Sequence, residues 1–298
     1  MPRPHTSVFC IILFCTGLLG APAHADKRVV SIGGDLTEIV YALGQGDMLV
    51  ATDSTSVFPA AAQDTPKVGY VRQLSAEGVL SVEPDLLLLS GAAGPPGALE
   101  QLRVSGVEMI ELPASYSMDA ILEKIDVVAA ALNVEEIGKS LRTDVEQSWN
   151  DAQSAVEGLP DDLSVLFFST LRDGAPRAAG RETAAHGLIE MLGARNVFAE
   201  RTGYKGLSLE AAVAADPDVI LVMDRYVEMA GGLETVKAHP AIALTTAAKN
   251  DLIILVDAVQ AMQFSPRTPS AVARLATAIE TSLARVEGKA GQTAEVAN

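Results

Sequence analysis

The sequence of 298 residues carries 38 Asp and Glu against 22 Lys and Arg, which gives a formal net charge of −16 at pH 7. Such an acidic chain argues against nucleic acid as a partner, because binding to phosphates needs basic faces. The carboxylates remain available for docking to a basic membrane protein. Without the leader described next, about 270 residues remain, which favours two domains over one.

A secretory signal peptide is predicted for residues 1–25. Arg3 supplies a positive charge, residues 8–19 form a short apolar run, and the Ala-His-Ala sequence at 23–25 matches the small-x-small cleavage pattern. The apolar run is too short for a stable membrane span, and no later segment is long and apolar enough to be one. We therefore expect an exported, periplasmic protein that begins near Asp26.

Cysteine and histidine are scarce in the predicted mature chain. Cys10 and Cys15 fall within the leader, so no thiol remains for a disulfide or a metal site, and the bulky Phe14 argues against a lipoprotein. Two histidines remain, far apart in sequence, which makes a multi-histidine zinc or manganese site hard to build. We expect His186 to be a partly buried helix residue and His239, which precedes a proline, to be structural or solvated.

Short apolar runs alternate with helix-like segments along the whole chain, which is typical of βαβ units around mostly parallel sheets. The runs are 28–32, 49–52, 86–90, 108–112, 165–169, 219–223 and 252–256. Between the two halves, apolar residues from Val134 to Val156 step by three or four and predict one helix of roughly 35 Å. We predict a first lobe at 26–130, a connecting helix at 131–160 and a second lobe at 161–298.

An internal repeat supports this division. Residues 69–77 read GYVRQLSAE and residues 203–210 read GYKGLSLE, and in both cases Pro-Asp and an apolar run begin seven residues after the final glutamate. Ser75 and Ser208 are suited to cap the helices that follow them. The repeat predicts two similar α/β lobes with a ligand cleft between them.

Four stretches carry a family resemblance. Residues 69–81 (GYVRQLSAEGVLS), 178–185 (AAGRETAA), 203–205 (GYK) and 264–269 (FSPRTP) resemble the HmuT family of haem-binding periplasmic proteins. The resemblance covers nearly the whole mature chain. It implies a class III periplasmic binding protein, in which two similar Rossmann-like lobes are joined by one long helix. It also implies a monomer that carries haem, supplied by an outer-membrane receptor system, to an ABC permease and ATPase complex.

The resemblance also assigns an iron ligand. The tyrosine that ligates haem iron in this family maps onto Tyr70, and a phenolate is a hard donor suited to ferric iron. Arg72 is placed to hydrogen-bond the phenolate and favour its ionisation; the alternative is a loop tyrosine beside a solvated arginine. Some related proteins add a histidine from the second lobe, but residues 168–174 (FSTLRDG) contain none. We expect Tyr70 to hold iron alone, or with a water or a weak group of the second lobe.

Haem also needs cations for its propionates and an apolar slot for its ring. The candidates for these contacts are Arg177, Arg181, Lys205, Arg225 and Arg267 as cations, and Tyr204, Met229, Met262 and Phe264 as cleft residues. The alternative for each is an ordinary core or surface residue.

Glu77 and Glu210 occupy equivalent positions of the repeat. Their ordinary role would be to compensate the helix dipole in the first turn, whereas the resemblance implies docking onto arginines of the permease. A siderophore or cobalamin binder of the same fold is the nearest alternative function. A periplasmic hydrolase is the alternative from another class, although no G-x-S-x-G, Walker or H-E-x-x-H motif occurs. We therefore expect a binding protein without catalytic residues.

Overall fold

The computed structural model describes residues 27–172 and 175–296, and these form two α/β lobes connected by a long helix. The predicted signal peptide, residues 1–25, lies outside the described residues. The predicted α/β architecture, two lobes joined by one long helix, is confirmed. Within the described ranges, no helix combines the length and the apolar character needed to cross a membrane.

The first lobe is a four-stranded parallel sheet flanked by helices. Its elements are β1 (Val29–Ile32), α1 (Gly34–Ala42), β2 (Leu49–Thr52), β3 (Gly69–Tyr70), β4 (Gln73–Leu74), α2 (Ala76–Leu80), β5 (Leu86–Ser90), α3 (Pro96–Val104), β6 (Glu108–Leu112) and α4 (Met118–Ala131). The strand order is β2-β1-β5-β6, and β3 and β4 form a separate antiparallel hairpin.

Alternate residues of these strands point to opposite faces of the sheet. On one face Val30 and Leu87 pack with α2 and α3, and on the other Val29 and Leu88 pack with α1 and α4. All four side chains are fully buried. Burial on both faces explains why the strands read as continuous apolar runs rather than as alternating ones.

One long helix, α5 (Glu135–Val156), follows the first lobe. It packs against α4 of the first lobe and against the C-terminal helix of the second lobe, with Val145 and Ala152 on its buried side. The connecting helix predicted from the three- and four-residue spacing is therefore confirmed as a helix. The lobe limits 26–130, 131–160 and 161–298 stay predictions.

The second lobe has a mixed sheet. Its elements are β7 (Ser164–Arg172), β8 (Ala175–Ala179), α6 (Ala184–Met191), β9 (Arg195–Asn196), β10 (Tyr204–Gly206), α7 (Leu209–Ala215), β11 (Val219–Met223), α8 (Asp224–Met229), α9 (Leu233–Lys237), α10 (Pro240–Ala243), α11 (Thr246–Lys249), β12 (Ile253–Val256), α12 (Ala258–Met262) and α13 (Thr268–Val296). Its strand order is β10-β8-β7-β11-β12, with β9 beside β7; β8 and β10 run antiparallel, and these short strands were not predicted.

The internal repeat has a structural counterpart in the two Pro-Asp pairs. A carboxylate oxygen of Asp85 accepts the backbone N–H of Arg28 at 2.8 Å, and one of Asp218 accepts that of Ser164 at 2.8 Å. Each aspartate thus ties the start of one strand to the strand beside it. As predicted, Ser75 caps α2 and Ser208 caps α7.

Candidate functional site

A cleft lies between the lobes and is lined by residues of both, and such clefts are a preferred place for small-molecule ligands. Its first-lobe wall is formed by the loops that follow β1, β5 and β6 and by the β3–β4 hairpin. The second lobe contributes Ala184, Met262 and Gln263. Parallel strands deliver their loops to one edge of the sheet, which is where open α/β folds bind ligands.

A buried aspartate organises the β1 loop at the cleft wall. The carboxylate of Asp53 accepts hydrogen bonds from the backbone N–H groups of Gly33 and Thr55 at 2.9 Å each, and from the hydroxyls of Thr55 at 2.8 Å and Ser56 at 3.1 Å. Nearby, burial lowers the pKa of Lys67 and the charge of Asp53 partly offsets this. Because the acceptors of Asp53 are satisfied, the loop is held in one conformation.

The cleft floor contains a buried ion pair. The Nζ of Lys124 donates to Oδ2 of Asp35 at 2.9 Å and to the backbone carbonyl of Phe264 at 2.6 Å. The two side chains are only 6% and 12% exposed. Lys124 and Asp35 belong to the first lobe and Phe264 to the second, so this lysine also ties the lobes together.

Residues 263–267, which we call the interlobe strap, make two further contacts to the first lobe. The Nε2 of Gln263 donates to the carbonyl of Thr55 at 3.1 Å. The guanidinium of Arg267 donates to both carboxylate oxygens of Glu38, at 2.8 and 2.6 Å, and lies 3.4 Å from the ring centroid of Phe58. With the Lys124 contact, the strap fixes the second lobe at the edge of the cleft.

Tyr70 and Arg72 both line the cleft, as their positions in the β3–β4 hairpin allow. The Tyr70 side chain is 42% exposed, so its hydroxyl is available to a ligand. Arg72 is exposed, and in the described part of the chain it forms no ion pair with a carboxylate. Its charge acts on two other tyrosines, Tyr116 and Tyr204, whose pKa values it lowers.

The net change in the pKa values of Tyr116 and Tyr204 is nevertheless an increase. Burial raises the pKa of Tyr116 and raises that of Tyr204 to about 12. For Tyr204, interactions with the backbone of Ala185 and the side chain of Thr183 offset only part of this effect. Both side chains are therefore neutral phenols near pH 7 and can act as hydrogen-bond donors.

Two of the residues predicted for the cleft lie outside its lining. Phe264 has no exposed surface, and its ring packs against that of Tyr116 with centroids 5.3 Å apart, so it belongs to the core. Arg267 is paired with the buried Glu38 and lines a separate groove. Its guanidinium already has a carboxylate partner and is not free for a propionate.

Of the remaining predicted residues, one lines the cleft and the others lie outside its lining. Met262 lines the cleft, whereas Arg225 and the 80% exposed Met229 belong to α8 and are absent from its lining. The guanidinium of Arg177 donates to the backbone carbonyl of Tyr204, so it supports β10. The other two cations, Arg181 and Lys205, are exposed and do not line the cleft.

The two histidines have structural roles, as expected. His186 lies in α6, where Nδ1 is 3.1 Å from the side-chain amide of Asn196, and His239 caps α10 by accepting the N–H of Ala241 at 3.2 Å. Among the described residues, no group of three His, Cys, Asp or Glu side chains is arranged to hold a metal ion.

Glu77 and Glu210 lie in the first turns of α2 and α7 and are both exposed. Hydrogen bonds from its own N–H and from the hydroxyl of Ser208 lower the pKa of Glu210. Both glutamates are thus accessible on equivalent helices of the two lobes.

The cleft residues that were missed from the sequence include Tyr116, Lys124 and Gln263. Tyr116 follows β6 in the segment that leads to α4, and a polar residue after a parallel strand was a usable signal. Lys124 lies within an otherwise apolar helix face, where a lone charge suggests a buried partner. Gln263 offered no such signal.

Comparison with known proteins places the chain in a family. A family model described as periplasmic binding protein matches residues 29–259. The structure is similar to that of the periplasmic heme-binding protein RhuT from Roseiflexus sp. RS-1 in apo form, with a TM-score of 0.81 and 36% identity over 86% of this chain and 99% of that one. It is also similar to the periplasmic heme-binding protein BhuT in complex with two hemes, with a TM-score of 0.82 and 37% identity over 86% and 99%.

Relatives found by sequence include a lipoprotein and a vitamin B12-binding protein. The uncharacterized ABC transporter substrate-binding lipoprotein YvrC of Bacillus subtilis is 26% identical over 66% of this chain, and the match spans 64% of that protein, which is less than two thirds of its length. The vitamin B12-binding protein of Vibrio cholerae is 24% identical over 91% of this chain and 95% of that protein. Because the family model covers well over half of the sequence, the chain belongs to the periplasmic binding protein family.

Proposed function

We propose that this protein binds haem in the periplasm and delivers it to an ABC transporter of the inner membrane for iron uptake. The observation that carries this proposal is Tyr70, a half-exposed phenol on the wall of the cleft. Tyrosine is an established type of haem-iron ligand. The similarity to the structures of two periplasmic heme-binding proteins, at 36% and 37% identity, supports the same ligand.

The cleft offers the other features that haem requires. Val71, Ala92, Pro113 and Met262 give it apolar surface for the porphyrin ring. Arg72, two residues from Tyr70, supplies a positive charge in the same wall. In this proposal Tyr70 donates its phenolate oxygen to ferric iron, and Arg72 stabilises the negative charge that develops there.

Cobalamin is the second candidate ligand, because one relative, matched over 95% of its length, is a vitamin B12-binding protein. Equilibrium dialysis against ferric haem, cyanocobalamin and a ferric siderophore separates the candidates. We expect retention of haem alone at micromolar protein. Retention of cobalamin without retention of haem would contradict the proposal and identify cobalamin as the ligand. Because the cleft residues show no organised catalytic group, we expect no turnover of an ester and peptide panel, and turnover would favour the hydrolase alternative.

Docking to the permease is assigned to Glu77 and Glu210. Their exposure and their equivalent positions on the two lobes support this role. The test is haem transport into vesicles that contain the cognate transporter. The variants Glu77→Arg and Glu210→Arg should abolish uptake while haem binding is unchanged, whereas Glu287→Arg, at an exposed position of α13, should transport normally. Normal uptake by the two charge-reversed variants would remove these residues from the interface.

Export depends on the leader at 1–25. We propose cleavage after Ala25, on the basis of the charged start, apolar run and small-x-small pattern. Intact mass measurement of the protein recovered from the periplasm should give a chain that begins at Asp26. A mass that includes the leader would argue for a membrane anchor instead.

A further inference from the structure

The interlobe strap is joined to a loop of the first lobe, residues 53–59, at both of its ends. At one end Gln263 and Thr55 both line the cleft, and Nε2 of Gln263 donates to the Thr55 carbonyl at 3.1 Å. At the other end the guanidinium of Arg267 lies 3.4 Å from the ring centroid of Phe58, and both residues line a groove outside the cleft. The strap and the loop therefore form one junction that extends from the cleft to the outer groove.

Two buried charged groups hold the strap against the first lobe. The Nζ of Lys124, whose side chain is 6% exposed, donates to the backbone carbonyl of Phe264 at 2.6 Å. The guanidinium of Arg267 donates twice to the carboxylate of Glu38, which is 3% exposed at its side chain. A buried carboxylate that loses its partner is strongly disfavoured. The closed strap is therefore the favoured position as long as both charged groups keep their partners.

The closed strap is nevertheless under strain. Phe264 has a φ of +55°, in the left-handed region that a bulky side chain adopts only at a cost. Among the residues that the structure describes, none donates a hydrogen bond to the buried Oε1 of Gln263, and a buried acceptor without a donor is also unfavourable. Both costs would be relieved if the strap moved away from the first lobe, because the backbone could relax and water could reach the amide.

A ligand in the cleft would lie against this junction. Gln263 of the strap lines the cleft together with Thr55 and Lys124, its two contact partners on the first-lobe side. A ligand enclosed between two walls leaves after the walls separate. At this end of the cleft, separation requires the hydrogen bonds of the strap to break. Strained segments of this kind are common at ligand clamps and switch regions.

We propose that the interlobe strap is a latch whose opening precedes release of the ligand, and that the ion pair between Arg267 and Glu38 sets how often the latch opens. The proposal depends on the proposed function only for the identity of the ligand, which is haem. The rate of release is then the rate from the open form multiplied by the fraction of molecules that are open. Since neither residue of the ion pair lines the cleft, a substitution there should change release without removing a ligand contact.

The test measures release directly. The haem complex is mixed with an excess of apomyoglobin, which captures released haem, and the visible spectrum is followed over time. In Arg267→Met the unpaired carboxylate of Glu38 favours the open strap, because opening lets water reach it, so haem should leave at least about tenfold faster than from wild type. In Glu38→Met/Arg267→Met no charge is buried on closing, and the rate should return to within about threefold of wild type. The spectrum of bound haem should be the same in all three proteins.

Hydrogen exchange of the ligand-free protein, followed by mass spectrometry, tests the latch without haem. The backbone amides of residues 263–268 should exchange faster in Arg267→Met than in wild type, and well before those of β5, because opening of the strap does not unfold the lobe. Arg103→Met is the matched control, since Arg103 makes the same paired contact with Glu111, at 3.0 Å for each hydrogen bond, within the first lobe. It should resemble wild type in both assays.

The outcomes separate the latch from the proposed function. An unchanged release rate in Arg267→Met, or a double variant that releases haem as fast as the single one, overturns the latch and leaves haem binding intact. Unchanged exchange of the strap in Arg267→Met overturns it as well. If wild-type protein does not bind haem, the proposed function fails, and the exchange experiment alone decides whether the strap opens as inferred.

Discussion

Replacing Arg267 with methionine should destabilise the protein, because it leaves the carboxylate of Glu38 buried without a partner. Glu38 is 3% exposed at its side chain and receives two hydrogen bonds from the guanidinium, at 2.8 and 2.6 Å. Methionine keeps the apolar stem but removes the guanidinium that lies over the ring of Phe58. Removal of one partner from a buried ion pair costs about 3–5 kcal/mol. Because Arg267 is 25% exposed and water can reach Glu38 in the variant, we expect the lower end, about 3 kcal/mol.

Urea unfolding followed by circular dichroism measures this loss. The double variant Glu38→Met/Arg267→Met should recover most of it, because no buried charge remains. Arg142→Met is the surface control: Arg142 pairs with Asp126 at 2.6 Å while both are substantially exposed, so at most about 1 kcal/mol should be lost. A loss below about 1 kcal/mol for Arg267→Met, or a double variant less stable than the single one, would refute the reasoning about the strap.

Two further predictions concern the cleft. Gly34→Ala places a Cβ 2.4 Å from Nε2 of Gln263 and 2.6 Å from the carbonyl of Thr55, so thermal and urea unfolding should show a loss of about 1–3 kcal/mol in the free energy of unfolding. In the control Gly97→Ala the added Cβ meets open space, and the free energy of unfolding should not fall. Equal losses in the two variants would exclude the steric explanation. Burial raises the pKa of Tyr204 to about 12, above about 10 for a free tyrosine. The free energy of unfolding should therefore fall between about pH 10 and about pH 12, less so in Tyr204→Phe, and identical pH profiles would contradict this.

The sequence was sufficient for features that depend on neighbours along the chain. The spacing of apolar residues in α5 reflects one packed face. The Pro-Asp pairs precede buried strands in both lobes because Asp85 and Asp218 make the same kind of hydrogen bond, from a backbone N–H at the start of the adjacent strand to the carboxylate. The serines that cap α2 and α7 act within three residues of their own positions.

Contacts between the lobes could not be predicted from the sequence, because they join residues that are far apart along the chain. Glu38 and Arg267 are 229 positions apart, and Lys124 and Phe264 are 140 apart. Nothing local distinguishes an arginine that meets a buried glutamate from one that faces a cleft, so the pairing of Arg267 with Glu38 was not predicted. Phe264 was predicted to line the cleft but is buried in the core. An aromatic side chain suits a core and a porphyrin equally well. The short antiparallel strands β8 and β10 depend on pairing with β7 and with each other.

The visible spectrum of ferric haem bound to wild-type protein and to Tyr70→Phe is the decisive measurement. Phenylalanine keeps the ring and removes only the oxygen that would bind iron. We expect wild-type protein to shift the Soret band and to show a phenolate-to-iron charge-transfer band, and the variant to lose that band and to bind haem more weakly. A wild-type spectrum equal to that of free haem, or an unchanged spectrum in Tyr70→Phe, would contradict iron ligation by Tyr70.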